Sequence, residues 1–386
     1  MRKICVFVGG RANYSSIKSV MRAIKNRKGL ELQVVLGASA VLDRFGKVEE
    51  LIRNDGFEPN YTFYNIVEGE NPATMAKSTG LGLMDASVIF NNLKPDMLVV
   101  VGDRYEMMSV TLAAAYMNII IVHTMGGEVT GTIDESIRHA ITKFAQIHFP
   151  ANEDSRQRII KMGEDEKFVF NVGCPRTDLV AEELKNDSYL ALEGLFKNYG
   201  GVGQGFFNLK EPFILVSQHS VTTEFGNNRK QIEQTLKALE TLAIPTIMLW
   251  PNSDAGSDDI AKGIRTYREN NNPQWLHLFK NLPIHIYIHL MNTTSCLVGN
   301  SSSGVREGGF IGTPVVNIGT RQNKRLRTKN VIQVGYSTAE ILSGIKEQLD
   351  HGKYESNDLY GDGTTGEKIA EILTRDLPEI QKTITY

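Results

Sequence analysis

Short apolar runs alternate with amphipathic stretches from one end of the 386-residue chain to the other, and this alternation constrains the fold more than any other feature. Ile4–Val8, Leu32–Leu36, Met97–Val101, Ile119–Val122 and Phe168–Val172 read as strands. Between them Ile17–Lys25, Tyr105–Tyr116 and Glu135–Ala145 carry helical periodicity. The pattern then restarts, with Phe213–Val216, Thr246–Leu249, Trp275–Leu278, Cys296–Val298 and Val315–Ile318 as a second set of strands. Strands alternating with helices imply βαβ units and parallel sheets, so the expected fold class is α/β with two doubly wound domains. Ligands are then expected at the carboxyl ends of the strands, in the cleft between the domains. The turn Gly173–Cys174–Pro175 closes the first set, which predicts an N-terminal domain over 1–175 and a second over 176–364. The run NYGGVGQG within Asn198–Lys210 marks a flexible loop between the two sets.

Charge narrows the partners. A net charge of −2, with 22% charged residues, offers no bulk positive field for nucleic acid or an anionic membrane. Any anionic ligand must be held by a few placed cations and backbone amides. Apolar only from Ile4 to Val8, the N-terminus is too short for a signal sequence or a membrane span. The three cysteines, Cys5, Cys174 and Cys296, are far apart and read as reduced, partly buried thiols of a cytoplasmic protein. His285 and His289 stand four residues apart with no third ligand nearby, so no metal is expected. Trp250 and Trp275 read as packing residues.

Several polar clusters follow directly on the apolar strands. Gly9–Gly10–Arg11–Ala12–Asn13–Tyr14–Ser15 is a glycine-bearing turn that opens a helix and can offer N–H groups, Arg11 and Ser15 to a phosphate; a plain βα connection fits it as well. Gly102–Asp103–Arg104 ends another strand, where Asp103 is either an acid–base group or a helix cap with its ion pair, and Arg104 a phosphate-facing charge. The loop His123–Glu135 carries Glu128, Asp134 and Glu135 among three glycines and three threonines, more carboxylate than a connection needs, although Asp134 also suits a helix N-terminus. In the second half His219 follows a strand within Gln218–Ser220. Gly299–Asn300–Ser301–Ser302–Ser303–Gly304–Val305–Arg306–Glu307 groups three hydroxyls before a helix, a cradle for a diphosphate with Glu307 able to accept from ribose hydroxyls and Arg321 as a companion cation.

In this order, over essentially the whole chain, the motifs resemble the hydrolysing UDP-N-acetylglucosamine 2-epimerases of sialic acid biosynthesis. They are RANYS at Arg11, GDR at Gly102, GGEVTGTIDESIRHAITK at Gly126, GCPRTD at Gly173, QHSVTT at Gln218, PNSDAGS at Pro251, GNSSSGVRE at Gly299, GTPVVNIGTRQ at Gly312 and YGDG at Tyr360. The resemblance implies a GT-B-like fold, two Rossmann-like domains with a deep interdomain cleft, and a C-terminal helix and tail over 365–386 that crosses back to the first domain. It implies Asp103, Asp134 and His219 as catalytic positions, with Arg11, Arg104, Ser301, Ser302, Glu307 and Arg321 around UDP and Asn252 close by. Three places depart from the family pattern. Met125 stands where the animal enzymes carry a catalytic glutamate, Asn13 where close relatives have a carboxylate, and Gly37–Ala40 lacks an expected histidine. The proton role at Met125 is either vacant or passes to Glu128 or Asp134.

The implied reaction takes UDP-N-acetylglucosamine and water to N-acetylmannosamine and UDP through 2-acetamidoglucal. Inversion at carbon 2 needs two proton-transfer groups on opposite faces of the sugar, for which Asp103 and a carboxylate of the Glu128–Asp134 loop are the candidates. With Arg11, Arg321 and the serine loop stabilising the departing UDP, no cofactor is required. The same chemistry on UDP-2,4-diacetamido-2,4,6-trideoxyglucose is the alternative, ahead of a GT-B glycosyltransferase or a nucleotide-sugar sensor. A homo-oligomer, dimer or tetramer, is expected from the resemblance.

Overall fold

The computed structural model describes residues 1–43, 48–68, 72–129, 133–203, 207–251, 256–280 and 282–386. Two compact units emerge: residues 1–129 with 133–179 and 361–386, and residues 180–360. Each is built on one parallel sheet of six strands, and together they form the GT-B-like pair of Rossmann-like units.

In the first unit the strands are β1 (Arg2–Val8), β2 (Leu30–Leu36), β3 (Tyr61–Thr62), β4 (Met97–Val101), β5 (Ile120–Thr124) and β6 (Ile147–Phe149), in the order β3-β2-β1-β4-β5-β6. Strands β4 and β5 are buried along their whole length, as expected of a parallel sheet covered on both faces. The helix Tyr105–Tyr116 lies against Pro72–Leu93 and turns Met107, Val110 and Ala114 into a core with Leu98, Val100 and Ile121. In the second unit β7 (Ile214–Ser217), β8 (Thr246–Leu249), β9 (Leu276–Phe279), β10 (Cys296–Gly299), β11 (Val315–Ile318) and β12 (Val331–Val334) run in the order β12-β11-β10-β7-β8-β9. Trp250 and Trp275 pack, half-buried, against its core. In both sheets the chain leaves the first strand in one direction and later returns to its other side, so strand order reverses between β1 and β4 and again between β7 and β10. At such reversals the loops leaving the carboxyl ends part and leave room for a ligand.

Ten expected strands reduce to nine. Phe168–Val172 is not one: the chain makes a short 3-10 turn over Glu166–Phe168 and then runs extended, with only Val169 bridged to His148. Its apolar residues serve packing, Phe170 lying 6.0 Å from the ring of Phe149. The place at that edge belongs to β6, whose short run is broken by a buried histidine. All three cysteines are buried and outside any disulfide. Among the described residues no helix is long and apolar enough to cross a membrane.

The C-terminal helix Thr365–Ile372 counts with the first unit and packs on the helix Lys18–Asn26. Asp178 fixes its start, its two carboxylate oxygens accepting from the N–H groups of Thr365 at 2.9 Å and Gly366 at 2.7 Å. Gly366 lies so close to the Ser19 backbone that a Cβ would come within 2.8 Å of it. Asp178→Ala strands two buried N–H groups and should lower unfolding free energy by about 1–3 kcal/mol. Urea titration checks this; an unchanged midpoint would mean the helix is held by packing alone.

Candidate active site

The first unit gathers its polar groups at the β1/β4 reversal. After β1 the backbone turns through Gly9 and Gly10 into the short helix Arg11–Ser15, where the Ser15 hydroxyl donates back to the Arg11 carbonyl at 3.0 Å and Arg11 stays half-buried. Ser39, after β2, donates to the Gly9 carbonyl at 2.9 Å and steadies the turn. After β4 comes Gly102, held at φ +72°, a left-handed position that glycine takes without strain. Its carbonyl lies 2.8 Å from His123 Nε2 on β5. Burial pushes the His123 pKa down to about 3, so this imidazole is neutral, donates from Nε2, and turns Nδ1 to Thr142 at 3.1 Å.

Asp103 forms an ion pair with Arg138, a guanidinium only 2% exposed on the helix Ile133–Phe144. The same Arg138 donates through Nη1 to the carbonyl of Glu128 at 2.8 Å. One buried cation therefore ties the loop after β4 to the loop after β5. The Glu128 side chain is itself buried, and Asp134 is half-buried in the first turn of that helix, near enough to Arg104 to favour its charge. Gly127, at φ +73°, sits where a Cβ would fall 2.4 Å from the Ser155 carbonyl, so the loop admits no side chain there. Met125 is in the left-handed region as well, at φ +62°, with its N–H bonded to the Phe149 carbonyl at 2.8 Å.

In the second unit the β7/β10 reversal is clasped by Asn300. Its Oδ1 accepts from the His219 N–H at 2.7 Å and its Nδ2 donates to the His219 carbonyl at 2.8 Å, fixing the backbone on both sides of the imidazole. The Asn300 carbonyl in turn accepts from Gln322 at 2.9 Å and Arg321 at 3.3 Å. Burial, reinforced by Arg321, lowers the His219 pKa to about 3, so the free protein carries a neutral imidazole with Nε2 3.3 Å from the Ser217 hydroxyl. Gly299 must be glycine, since a Cβ would lie 2.1 Å from the Ser217 carbonyl. Ser301 caps the short helix Ser302–Val305 by accepting from the Ser303 N–H. Glu224 accepts from Tyr336 at 2.6 Å and from Thr320, tying the Arg321 loop to the segment after His219.

The sequence-predicted residues thus fall into two sets: Arg11, Ser15, Asp103, Arg104, Glu128 and Asp134 in the first unit, and His219, Ser301, Ser302, Ser303, Glu307 and Arg321 in the second. Ser303 is buried, its hydroxyl 2.7 Å from Tyr287 and 2.8 Å from Ser301. Glu307 is buried. Asn252 lies outside the described residues. Sequence reasoning missed the supporting residues Arg138, Asn300, Tyr287 and Glu106. Arg138 was within reach, standing four residues after Asp134 on one helix face. His289 is structural, its Nδ1 2.9 Å from Ser188. Among the described residues no three His, Cys, Asp or Glu side chains converge as a metal site.

A family model described as UDP-N-acetylglucosamine 2-epimerase matches residues 22–374. The chain is 31% identical to the UDP-N,N′-diacetylbacillosamine 2-epimerase (hydrolyzing) of Legionella pneumophila, covering 97% of this chain and 96% of that one. It is 34% identical to the GDP/UDP-N,N′-diacetylbacillosamine 2-epimerase (hydrolyzing) of Campylobacter jejuni, over 92% and 89%. The fold is similar to the crystal structure of UDP-GlcNAc 2-epimerase from Neisseria meningitidis bound to UDP-GlcNAc, with TM-score 0.82, 17% identity and coverage of 97% and 100%. The family model and these relatives define an enzyme of nucleotide-sugar chemistry. The chain belongs to the UDP-N-acetylglucosamine 2-epimerase family, as one of its hydrolysing UDP-sugar enzymes.

Because Asp103 is the anion facing buried Arg138, Arg138→Met should destabilise the protein by about 3 kcal/mol, the lower end for a buried pair with one partner partly exposed. Combining it with Asp103→Asn should cost clearly less than the sum, with a coupling of roughly 0.5–3 kcal/mol. Additive losses in denaturant titrations would show that the two do not act as a pair.

Proposed function

We propose that this enzyme converts UDP-2,4-diacetamido-2,4,6-trideoxyglucose, which is UDP-N,N′-diacetylbacillosamine, and water into UDP and 2,4-diacetamido-2,4,6-trideoxymannose. The observation that carries the substrate is likeness over nearly the whole chain to the two relatives named for that sugar, at 31% and 34% identity. It reverses the ranking of the two sugars expected from motifs alone. UDP-N-acetylglucosamine remains the second reading, supported by 29% identity to a Neisseria meningitidis UDP-N-acetylglucosamine 2-epimerase. Motifs common to the family describe the nucleotide and the reacting carbons, and both sugars share those.

The chemistry follows from the substrate. The C2 hydrogen is not acidic, so its removal is coupled to departure of UDP from C1. Asp103, aimed by Arg138, takes the C2 proton while the C1–O bond breaks, leaving the 1,2-unsaturated sugar. Water then adds its oxygen to C1 as a carboxyl group delivers a proton to the opposite face of C2. Glu128 or Asp134 supplies that group, since the thioether of Met125 moves no proton. His219 is neutral in the free protein and gives a hydrogen bond, or gains a proton, only as negative charge builds on the leaving diphosphate. Arg321 and Ser302 assist there with donors already in place, which lowers the reorganisation needed during the reaction.

Steady-state kinetics on both nucleotide sugars, with the products read by NMR, tests the substrate. The diacetamido sugar should be preferred in kcat/KM by about tenfold or more, as a pocket built to pair a second acetamido group loses those bonds with a hydroxyl. Equal or better turnover of UDP-N-acetylglucosamine would contradict the reading.

A further inference from the structure

Glu106 occupies the first turn of the helix that follows Asp103 and Arg104, yet it does not face water as an acidic residue at a helix start normally does. Its side chain is 2% exposed. One oxygen, Oε1, accepts from Arg104 Nε at 2.7 Å. The other, Oε2, is buried and has no hydrogen-bond partner among the described residues. The buried Oδ1 of Asn13, which lies beside Gly9, has none either. A buried carboxylate satisfied on one side only is costly, and among the described residues Arg104 is the one cation paired with it.

Arg104 shows what this arrangement achieves. Its side chain is 54% exposed and lies beside the Tyr105 ring, 5.9 Å from the centroid. It spends Nε on Glu106, and its two terminal nitrogens bond to no described residue. A long, flexible cation is thus anchored near its base with its fork open. Gly9 completes the device. A Cβ there would stand 2.7 Å from Glu106 Cγ, so the bare glycine makes the space in which Glu106 sits. The backbone of Gly9 lies outside the left-handed region, so this room, not backbone freedom, is what the residue supplies.

We propose that Glu106 is a positioning residue that pre-aims Arg104 as the first unit's receptor for the diphosphate of the nucleotide, with Gly9 making its seat. The inference rests on the nucleotide half of the proposed function and not on which sugar is attached.

The test is calorimetric titration of UDP, which both sugar readings share, into wild type, Glu106→Gln, Gly9→Ala and Arg104→Ala, and into each of the first two changes combined with Arg104→Ala. Glu106→Gln should weaken UDP by roughly ten- to hundredfold, the scale of a charge-assisted bond. Gly9→Ala should do the same by pushing Glu106 aside. In the Arg104→Ala background neither change should move Kd by more than about twofold, because nothing remains to aim. A normal Kd in Glu106→Gln, or an equal loss with and without Arg104, would overturn the proposal. So would Gly9→Ala binding UDP as wild type does. If wild type binds UDP but turns over only UDP-N-acetylglucosamine, the substrate reading fails while the positioning claim is still decided by the same titrations.

Discussion

The bond from Arg138 to Asp103 is the interaction on which the alignment of the first unit's strand-end loops depends. Arg138 is buried on a helix, and it spends one end on the carboxylate after β4 and the other on the backbone of Glu128 after β5. A guanidinium with no solvent of its own needs such partners, because an unpaired buried charge is among the most costly features a protein can carry. The need works in both directions: the cation is tolerated because two loops close on it, and the loops are aligned because the cation is there. His123 repeats this logic without charge, its neutral ring tying the Gly102 carbonyl to Thr142, four residues beyond Arg138 on the same helix. The second unit achieves comparable rigidity through an amide, Asn300 gripping both backbone groups of His219.

Much of this architecture can be read from the chain, and the reason is burial. Strands covered on both faces must be apolar throughout, which made β1, β4, β8 and β11 plain. The strands that escaped notice are those this pressure touches least: β3 is two residues long, β12 is half-exposed, and β6 carries a histidine whose partner, Glu164 at 3.2 Å, lies far along the chain. Phe168–Val172 misled for the opposite reason, being apolar to pack rather than to pair. The site divides similarly. Residues that end strands at the two reversals, such as Asp103, His219 and Ser301, are marked by their position. The residues that hold them are not, since Asn300 meets His219 across 81 positions and Glu106 differs from an ordinary helix-start acid only in being buried.

The electrostatics of the two units are complementary in kind. In the first, the carboxylates Asp103, Glu128, Asp134 and buried Glu106 are set against Arg138, Arg104 and Arg11. In the second, a neutral histidine beside Arg321 and a turn of hydroxyls offers donors, with Glu307 as the buried acid that follows the turn. Proton transfer at a sugar carbon suits the carboxylates of the former, and a diphosphate suits donors of the kind that the latter and Arg104 offer. A chain of net charge −2 can hold a highly charged nucleotide because its cations are few and anchored rather than numerous.

Carboxyl-mediated proton transfer at C2 is the central claim, and it leaves a mark on the product. A proton taken by Asp103 and another delivered from a different carboxyl on the opposite face must both exchange with solvent. Running the reaction to completion in D₂O and examining the released sugar by NMR reads this directly. The account predicts one deuterium at C2 of the manno-configured product and none at C3. Inverted product that keeps its original hydrogen at C2 would contradict it.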